Sequence, residues 1–341
     1  MRSPLQISLV ALTALVAQSA AASDYPTVVV VYDGWGTPTS FTVGGRVLED
    51  QGEVSPKKKV SRTESLRANL KALESDEVRF AEVLVTLAGQ SFTATTDDDG
   101  NFKVQVKGLP AAQALAPGVV PVTVKLQKAP GRSPASLQGG IGEGVLYVQD
   151  NQTPFTAVIS DVDDTIVKTY LMDRRSMLDA VLLKNATQLE PVEGAAANYR
   201  AAQAAGVSAF FYLSGSPQNF YNRIHSYLAL QKFPAGPLFL KNFGDDSLLK
   251  QQGYKLERLE FLLKEFPLMK VILIGDTGEQ DPEIYRELAK RHPARVAGIV
   301  IRKTPGSDLG PARLKGMTSF DDKYATNDVI AGLIAASTRV H

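Results

Sequence analysis

The stretch VISDVDDT, residues 158–165, decides the fold of the chain. It starts as an apolar β-branched strand and ends in two carboxylates spaced two residues apart, Asp161 and Asp163. Ligands of open α/β sheets bind at the carboxyl ends of strands, so these carboxylates occupy a reactive position. One can attack phosphorus, and the other can give and later take a proton. Taken alone, the stretch is equally compatible with an acidic loop that precedes a helix.

The same strand pattern recurs downstream of this segment. Apolar runs cover residues 157–160, 207–213, 271–274 and 296–301, and amphipathic segments separate them. Apolar strands that alternate with helices predict a parallel sheet with both faces covered. We therefore predict an α/β domain over residues 153–341.

The ends of the later runs carry further polar groups. Ser214 and Gly215 follow the second run, and Ser216-Pro217 then predicts a helix start with a serine cap. A hydroxyl and free N–H groups at a helix start suit a phosphate. Lys255 opens the next predicted helix, where an ammonium group can serve as a point charge for phosphate. Taken singly, the serine is an ordinary cap and the lysine a solvated side chain.

Two more carboxylates follow the third run. Asp276 comes directly after Ile274-Gly275, and Asp281 lies five residues further on. Carboxylate ligands suit Mg²⁺ better than a softer metal. The chain has no cysteine, and its three histidines, at positions 225, 292 and 341, fall outside these motifs, so nothing favours zinc.

These segments together resemble the haloacid dehalogenase superfamily of phosphatases. More narrowly, residues 153–305 resemble the phosphatidate phosphatase family first known from yeast cortical actin patches. The resemblance rests on the stretches ISDVDDTIVKT, FFYLSGSPQNFY, YKLERLEFLLKEFP and LIGDTGEQDPEIYRELAKRHPARVAGIVIR. It implies a haloacid dehalogenase-like parallel sheet with a small helical cap insertion.

The resemblance also implies a role for each site residue. Asp161 is the nucleophile that forms an aspartyl-phosphate, and Asp163 is the acid and base. Mg²⁺ is held by Asp161, Asp276 and the backbone carbonyl of Asp163. The implied roles of the others are phosphoryl binding for Ser214, Gly215 and Lys255, orientation of Lys255 or a metal-bound water for Asp281, and shaping of the loop through backbone and hydroxyl bonds for Asp164 and Thr165.

The substrate is less determined than the chemistry. The insertion 169–190 is rich in leucine and methionine and predicts a helical lid. Its apolar side either covers a lipid phosphate such as phosphatidate or only packs the lid onto the sheet. The resemblance implies a lipid phosphate at a membrane surface. A phosphatase of soluble phosphoesters or phosphoproteins, or a binding module without activity, are the alternatives.

The first half of the chain has a different pattern. Short β-branched runs between Gly-rich turns predict an antiparallel β-sandwich of transthyretin or immunoglobulin type over residues 23–152. Residues 61–75 predict a helix, and the turn 97–100, DDDG, predicts a hairpin between its flanking strands. Tyr32, Trp35 and the lysines at 57–59 either touch an anionic bilayer or belong to solvated loops.

The amino terminus predicts export. Residues 1–22 combine Arg2, an apolar run too short to span a bilayer and an Ala-x-Ala site, as a signal peptide does. The expected location is periplasmic or extracellular, with no transmembrane segment after cleavage. The net charge of +1 gives no strong field for nucleic acid, and no nucleic-acid partner is expected.

Overall fold

The computed structural model describes residues 26–49, 77–133, 140–169, 184–241, 251–307 and 312–321, with a few isolated positions between them. The predicted signal peptide, the lysines at 57–59, most of the predicted helix 61–75 and residues 170–183 of the predicted lid lie outside these ranges. In the ranges that are described, no helix combines the length and apolarity needed to cross a bilayer.

The first half of the chain forms a mixed β-sheet. Its strands pair in the order β4-β3-β6-β7-β1-β2-β5, and β1 with β7 is a parallel pair in an otherwise antiparallel ladder. Alternate residues of β3 are buried, as a period of two predicts for a half-buried strand. The strands are β1 (Thr27–Thr37), β2 (Ser40–Glu49), β3 (Glu82–Leu87), β4 (Gln90–Thr95), β5 (Asn101–Val106), β6 (Gly118–Lys128) and β7 (Ile141–Val148).

The predicted hairpin at residues 97–100 is wrong. β4 pairs with β3 and β5 pairs with β2, so the turn joins opposite edges of the sheet. The Asp97 carboxylate accepts from the backbone N–H groups of Asp99 and Asn101 at 2.9 and 2.8 Å. The turn is thus complete without a ladder, and burial of Phe102 and Val104 in the shared core decides where β5 pairs.

The second half confirms the predicted α/β class. Its main sheet has the order β12-β11-β8-β13-β14-β15, and every adjacent pair is parallel. The strands are β8 (Phe155–Ser160), β9 (Val167–Lys168), β10 (Glu190–Pro191), β11 (Ala209–Pro217), β12 (Leu238–Lys241), β13 (Met269–Asp276), β14 (Val296–Arg302) and β15 (Thr318–Phe320), of which β9 and β10 form a separate small pair. The helices are α1 (Ala195–Ala204), α2 (Tyr221–Leu230), α3 (Gln251–Glu265) and α4 (Asp281–Arg291).

Helices cover both faces of this sheet. On one face, Val158 and Ile272 share a core with Tyr199 of α1 and Tyr227 of α2. On the other face, the buried leucines of α3 pack with residues of β8 and β13. Burial on both sides explains why these strands read as continuous apolar runs. Strands β12 and β15 were not predicted from the sequence because each has only a few residues.

The two halves contact each other through aromatic residues of β1. The ring of Trp35 lies 5.2 Å from that of Phe261, and Tyr32 lies 4.6 Å from Tyr221, measured between centroids. The Asp33 backbone N–H donates to the Tyr221 hydroxyl at 2.7 Å. Trp35 is only 8% exposed, so it is not free to touch a bilayer, and both Trp35 and Tyr32 lie in β1 rather than in a solvated loop. They are interface residues between the halves of the chain.

Candidate active site

The polar residues predicted from sequence meet at the carboxyl ends of three adjacent strands. The last residue of β8 is opposite Tyr212 in β11 and Ile274 in β13. Asp161 follows β8 directly, and its N–H donates to the Ile274 carbonyl at 2.8 Å. Ser214 and Asp276 each lie two residues beyond those strand partners. The parallel register therefore carries all three side chains to one edge of the sheet.

Lys255, in α3, is the centre of a buried charge cluster. Its Nζ lies 2.7 Å from Oδ1 of Asp161, 2.7 Å from Oε2 of Glu279 and 2.7 Å from Oδ1 of Asp281. Lys255, Asp161 and Asp281 are at most 2% exposed. Oxygens of the three acids lie within 4.8 Å of one another around this ammonium. One ammonium cannot neutralise three ionised carboxylates, so the cluster favours a further cation.

Two carboxylate oxygens of the site have no hydrogen-bond donor among the residues that the structure describes. They are Oδ2 of Asp161 and Oδ2 of Asp276, and both are buried. Oδ1 of Asp276 is already held by the Gly278 N–H at 2.5 Å and the Thr304 hydroxyl at 3.0 Å. A buried acceptor without a donor is costly. Hard divalent cations bind carboxylate oxygens, so Asp161 and Asp276 fit such an ion.

The pKa values of the site groups reflect the same excess of acid. Burial, and then the charge of Asp281, raises the pKa of Asp276 to about 8. Burial also raises the pKa of Asp161 well above its usual value, although Lys255 opposes this. Burial lowers the pKa of Lys255, but the charges of Asp161, Asp281 and Glu279 outweigh burial and raise it. A bound cation would reverse this balance for the carboxylates.

Asp163 is held by two serines at the end of β11. Its Oδ2 accepts from the hydroxyls of Ser214 at 2.6 Å and Ser216 at 2.9 Å. The Ser216 N–H donates to the Ser214 hydroxyl at 2.9 Å, and half-buried Gly215 joins the two serines. Burial raises the pKa of Asp163 above its usual value. A carboxyl of this kind keeps its proton more readily than a solvated one.

The helix start predicted at Ser216-Pro217 is wrong. Strand β11 continues through Pro217, and α2 begins only at Tyr221, after a 3₁₀ turn over Gln218–Phe220. Among the residues that the structure describes, no side chain caps the 3₁₀ turn or α2. The Ser216 hydroxyl is used by Asp163 instead, a partner 53 positions away that local sequence rules do not reveal.

Asp164 and Thr165 follow the prediction in part. Asp164 has a left-handed backbone, with φ of 53°, and its carboxylate accepts from the Thr169 N–H at 3.0 Å. Its carbonyl accepts from the buried guanidinium of Arg302 at 2.5 Å. The Thr165 N–H donates to the Val162 carbonyl at 3.3 Å. The expected hydroxyl bond is not formed, since the buried Thr165 Oγ1 has no partner in the part of the chain described.

Two residues that hold the charge cluster around Lys255 were not predicted from the sequence. Glu279 lies inside the stretch GDTGEQD, between Asp276 and Asp281. Its place between two predicted site residues could have identified it as a third acid of the site. Arg313 donates to the carbonyls of Thr277 at 2.7 Å and Glu279 at 2.5 Å, and so fixes the loop that carries the acids. Arg313 belongs to no motif, so only the fold reveals this contact.

Comparison with known proteins identifies a family and two relatives that part of the chain resembles. Residues 156–303 match the family described as phosphatidate phosphatase APP1, catalytic domain. The chain is 30% identical over 218 residues to phosphatidate phosphatase APP1 of Saccharomyces cerevisiae, covering 62% of this chain and 35% of the yeast protein. It is 26% identical over 150 residues to an uncharacterized protein of Schizosaccharomyces pombe, covering 43% of this chain and 25% of that protein.

The matches cover only part of these proteins. The chain spans about a third of the length of the first relative and a quarter of the second. Among solved structures, a carbohydrate acetylesterase from Xanthomonas citri aligns with 89% of this chain and 72% of its own, at 12% identity and a TM-score of 0.31. That likeness is too low to support a shared fold.

Proposed function

We propose that this chain, whose residues 156–303 belong to the family of APP1 phosphatidate phosphatase catalytic domains, is a magnesium-dependent phosphatase that forms an aspartyl-phosphate. The observation that carries the proposal is the pair of buried oxygens on Asp161 and Asp276 that find no donor in the described part of the chain, with the Lys255 ammonium bound to Asp161. We assign the second half to a haloacid dehalogenase-like fold on the resemblance, and the first half to a β-sandwich on its short β-branched runs between Gly-rich turns.

The metal ligands in this proposal are the carboxylates of Asp161 and Asp276 and the backbone carbonyl of Asp163. A bound Mg²⁺ supplies positive charge that offsets the negative charge on the transferring phosphoryl group. The oxygen-only ligand set suits Mg²⁺. Such an ion would also offset the excess of acid around Lys255, whose single ammonium contacts Asp161, Glu279 and Asp281.

The reaction has two steps. An oxygen of Asp161 forms a bond to phosphorus while the bond from phosphorus to the leaving oxygen breaks. Asp163 gives its proton to that oxygen, which leaves as an alcohol. The oxygen of a water molecule then forms a bond to phosphorus while the bond from phosphorus to the Asp161 oxygen breaks. Asp163 takes a proton from the water, and inorganic phosphate leaves. Lys255, Ser214 and the backbone at Gly215 hold the phosphoryl oxygens during both steps.

The geometry around Asp163 supports its part in this scheme. The two serine hydroxyls hold the Asp163 carboxyl at the C-terminal end of β11. Burial favours the protonated form of Asp163 that is needed to start the reaction. A dehalogenase has no leaving oxygen to protonate, so a held acid at this position favours a phosphatase.

The proposed substrate is phosphatidate or a related lipid phosphate, with diacylglycerol and phosphate as products. This rests on the family and on the apolar composition of residues 169–190. The proposed setting is outside the cytoplasm, periplasmic or extracellular, on the signal pattern of residues 1–22.

Phosphate release from phosphatidate tests the proposal. We expect turnover by the mature chain with Mg²⁺, loss of turnover in EDTA, and a loss of about 10³-fold or more in Asp161→Asn. The Asp98→Asn variant, at an exposed aspartate in the 97–100 turn, is the control. Equal kcat/KM for long-chain and short-chain phosphatidate would favour soluble phosphoesters. Turnover that survives both EDTA and Asp161→Asn would refute the mechanism.

A further inference from the structure

A cleft of about 340 Å³ lies between the two halves of the chain. Its walls come from β1, β2 and β5 on one side and mainly from β12 and α3 on the other. The cleft is distinct from the carboxylate site, because its lining does not include Asp161, Asp163, Lys255 or Asp276. Small-molecule sites often lie at such domain interfaces and have volumes in this range.

Two hydrogen-bond acceptors that line the cleft have no donor. Oδ2 of Asp33 and Oδ1 of Asn101 are buried and unpartnered among the residues described. The Asp33 side chain is only 3% exposed, and its other oxygen lies 3.5 Å from Nε2 of His225. Burying an acceptor without a donor is unfavourable. Two such acceptors in one cleft point to a ligand that brings donors.

The opposite wall offers donors and apolar faces. The Arg258 guanidinium lies 5.6 Å from the ring centroid of Phe239 and 5.7 Å from that of Phe261. Within the described ranges Arg258 forms no ion pair, so its N–H groups remain available to a ligand. Lys103 adds a second cation, and Trp35 lines the same space. The cleft thus presents aromatic surface beside acceptors on one wall and donors on the other.

From this arrangement we propose that the cleft is a binding site for a neutral saccharide. Sugar hydroxyls donate to Asp33 and Asn101 and accept from Arg258, while the C–H face of the sugar ring packs on the aromatic residues. An anion would meet Asp33 and Asp97, and a cation would meet Arg258 and Lys103. An acyl chain would leave both acceptors without donors. A neutral polyhydroxyl ligand avoids each of these costs.

Trp35 makes the proposal measurable because it is the only tryptophan of the chain. The full mature chain is titrated with maltose, cellobiose and N,N′-diacetylchitobiose, and the Trp35 fluorescence is followed. We expect a saturable change with at least one disaccharide. Loss of one hydrogen bond in Asn101→Ala should weaken that binding about tenfold. Asp98→Asn, in the neighbouring turn but outside the cleft, should bind as the natural chain does.

Two variants are used so that the test does not depend on a single variant that could fail to fold. Asp33→Asn should weaken binding as well, but Asp33 contacts the second half of the chain. Asn101 lies wholly in the first half, so Asn101→Ala carries the test if Asp33→Asn unfolds. The proposal is overturned if no disaccharide gives a saturable change, or if binding is unaltered in Asn101→Ala.

Two further arms identify the source of the sugar and separate this site from the phosphatase. Sedimentation with phosphatidylcholine vesicles that contain diglucosyldiacylglycerol, but not with phosphatidylcholine alone, would assign a lipid-linked sugar. Binding of free disaccharide without sedimentation would assign a free one. Saccharide binding should persist in Asp161→Asn, so the saccharide site and the proposed phosphatase can fail independently.

Discussion

The Nζ atom of Lys255 lies 2.7 Å from the Oδ1 atom of Asp161, although the two residues are 94 positions apart in the chain. The contact is almost fully removed from solvent, so it depends on the rest of the fold. It ties α3 to the end of β8. Stability and chemistry at the site therefore share the same atoms.

Removal of the Lys255 ammonium should destabilise the fold. In Lys255→Met the buried carboxylates of Asp161 and Asp281 lose their common partner, and breaking a buried pair costs about 3–5 kcal/mol. Urea unfolding in EDTA measures the change. Lys264→Met, at an exposed position of the same helix, is the matched control and should change the free energy of unfolding little. A loss equal to that of the control would contradict the buried network.

Magnesium should stabilise the natural chain through Asp276. At a Mg²⁺ concentration of about 100 times Kd, the free energy of unfolding should rise by about 2.7 kcal/mol. Asp276→Asn removes a ligand and one crowded negative charge, so it should fold in EDTA yet gain nothing from Mg²⁺. Thermal unfolding with and without Mg²⁺ gives both numbers. An equal gain in Asp276→Asn and in Asp98→Asn would place the ion elsewhere.

Ser216→Ala should lower kcat about tenfold and leave KM unchanged. It removes one of the two hydroxyls that hold Asp163, so the carboxyl spends less time in the reactive orientation. Ser208→Ala, at an exposed serine just before β11, is the control. Steady-state kinetics on phosphatidate separate the two constants. A raised KM at constant kcat would instead make Ser216 a substrate contact.

The contact between the two halves should weaken as pH rises. The hydrogen bond to Asp33, opposed by partial burial, raises the pKa of His225 above 6.5. Because the folded pKa is raised, the contribution of protonated His225 is complete below about pH 6.5 and is lost as pH rises through the folded value. His225 is 46% exposed, so solvent screening keeps the effect below about 1 kcal/mol.

Unfolding at pH 5.5 and pH 8.5 tests this pH dependence. His225→Gln should reduce the difference between the two pH values by up to about 1 kcal/mol, whereas His292→Gln, outside the contact, should keep it. The raised pKa of Asp276 adds a pH dependence of its own, which both variants retain. An unchanged pH dependence in His225→Gln would show that another group is responsible.

Much of the second half was predictable because its signals are local. The apolar runs that end at Ser160, Leu213 and Ile274 correspond to β8, β11 and β13, since strands buried on both faces have continuous apolar sequences. The buried leucines of α3 follow the helical period. Strand β12 has four residues, too few for a pattern to distinguish it from a loop.

The failures have a common physical cause, since each depends on a partner distant in sequence. The hydroxyl of Ser216 is suited to capping a helix, but in the fold it donates a hydrogen bond to the Asp163 carboxylate instead. Asp97 forms the expected turn, but burial of Phe102 takes β5 to the opposite edge of the sheet. The sequence predicts bilayer contact or a solvated loop for Trp35, but its ring packs against that of Phe261.

By itself, the sequence determined the α/β class and the carboxylates at strand ends, because period and composition are local properties. Only the tertiary structure decided that Glu279 joins Asp161 and Asp281 around Lys255, and that a cleft with unsatisfied acceptors separates the two halves. Both features arise from packing between distant segments, where burial makes each missing or added hydrogen bond count.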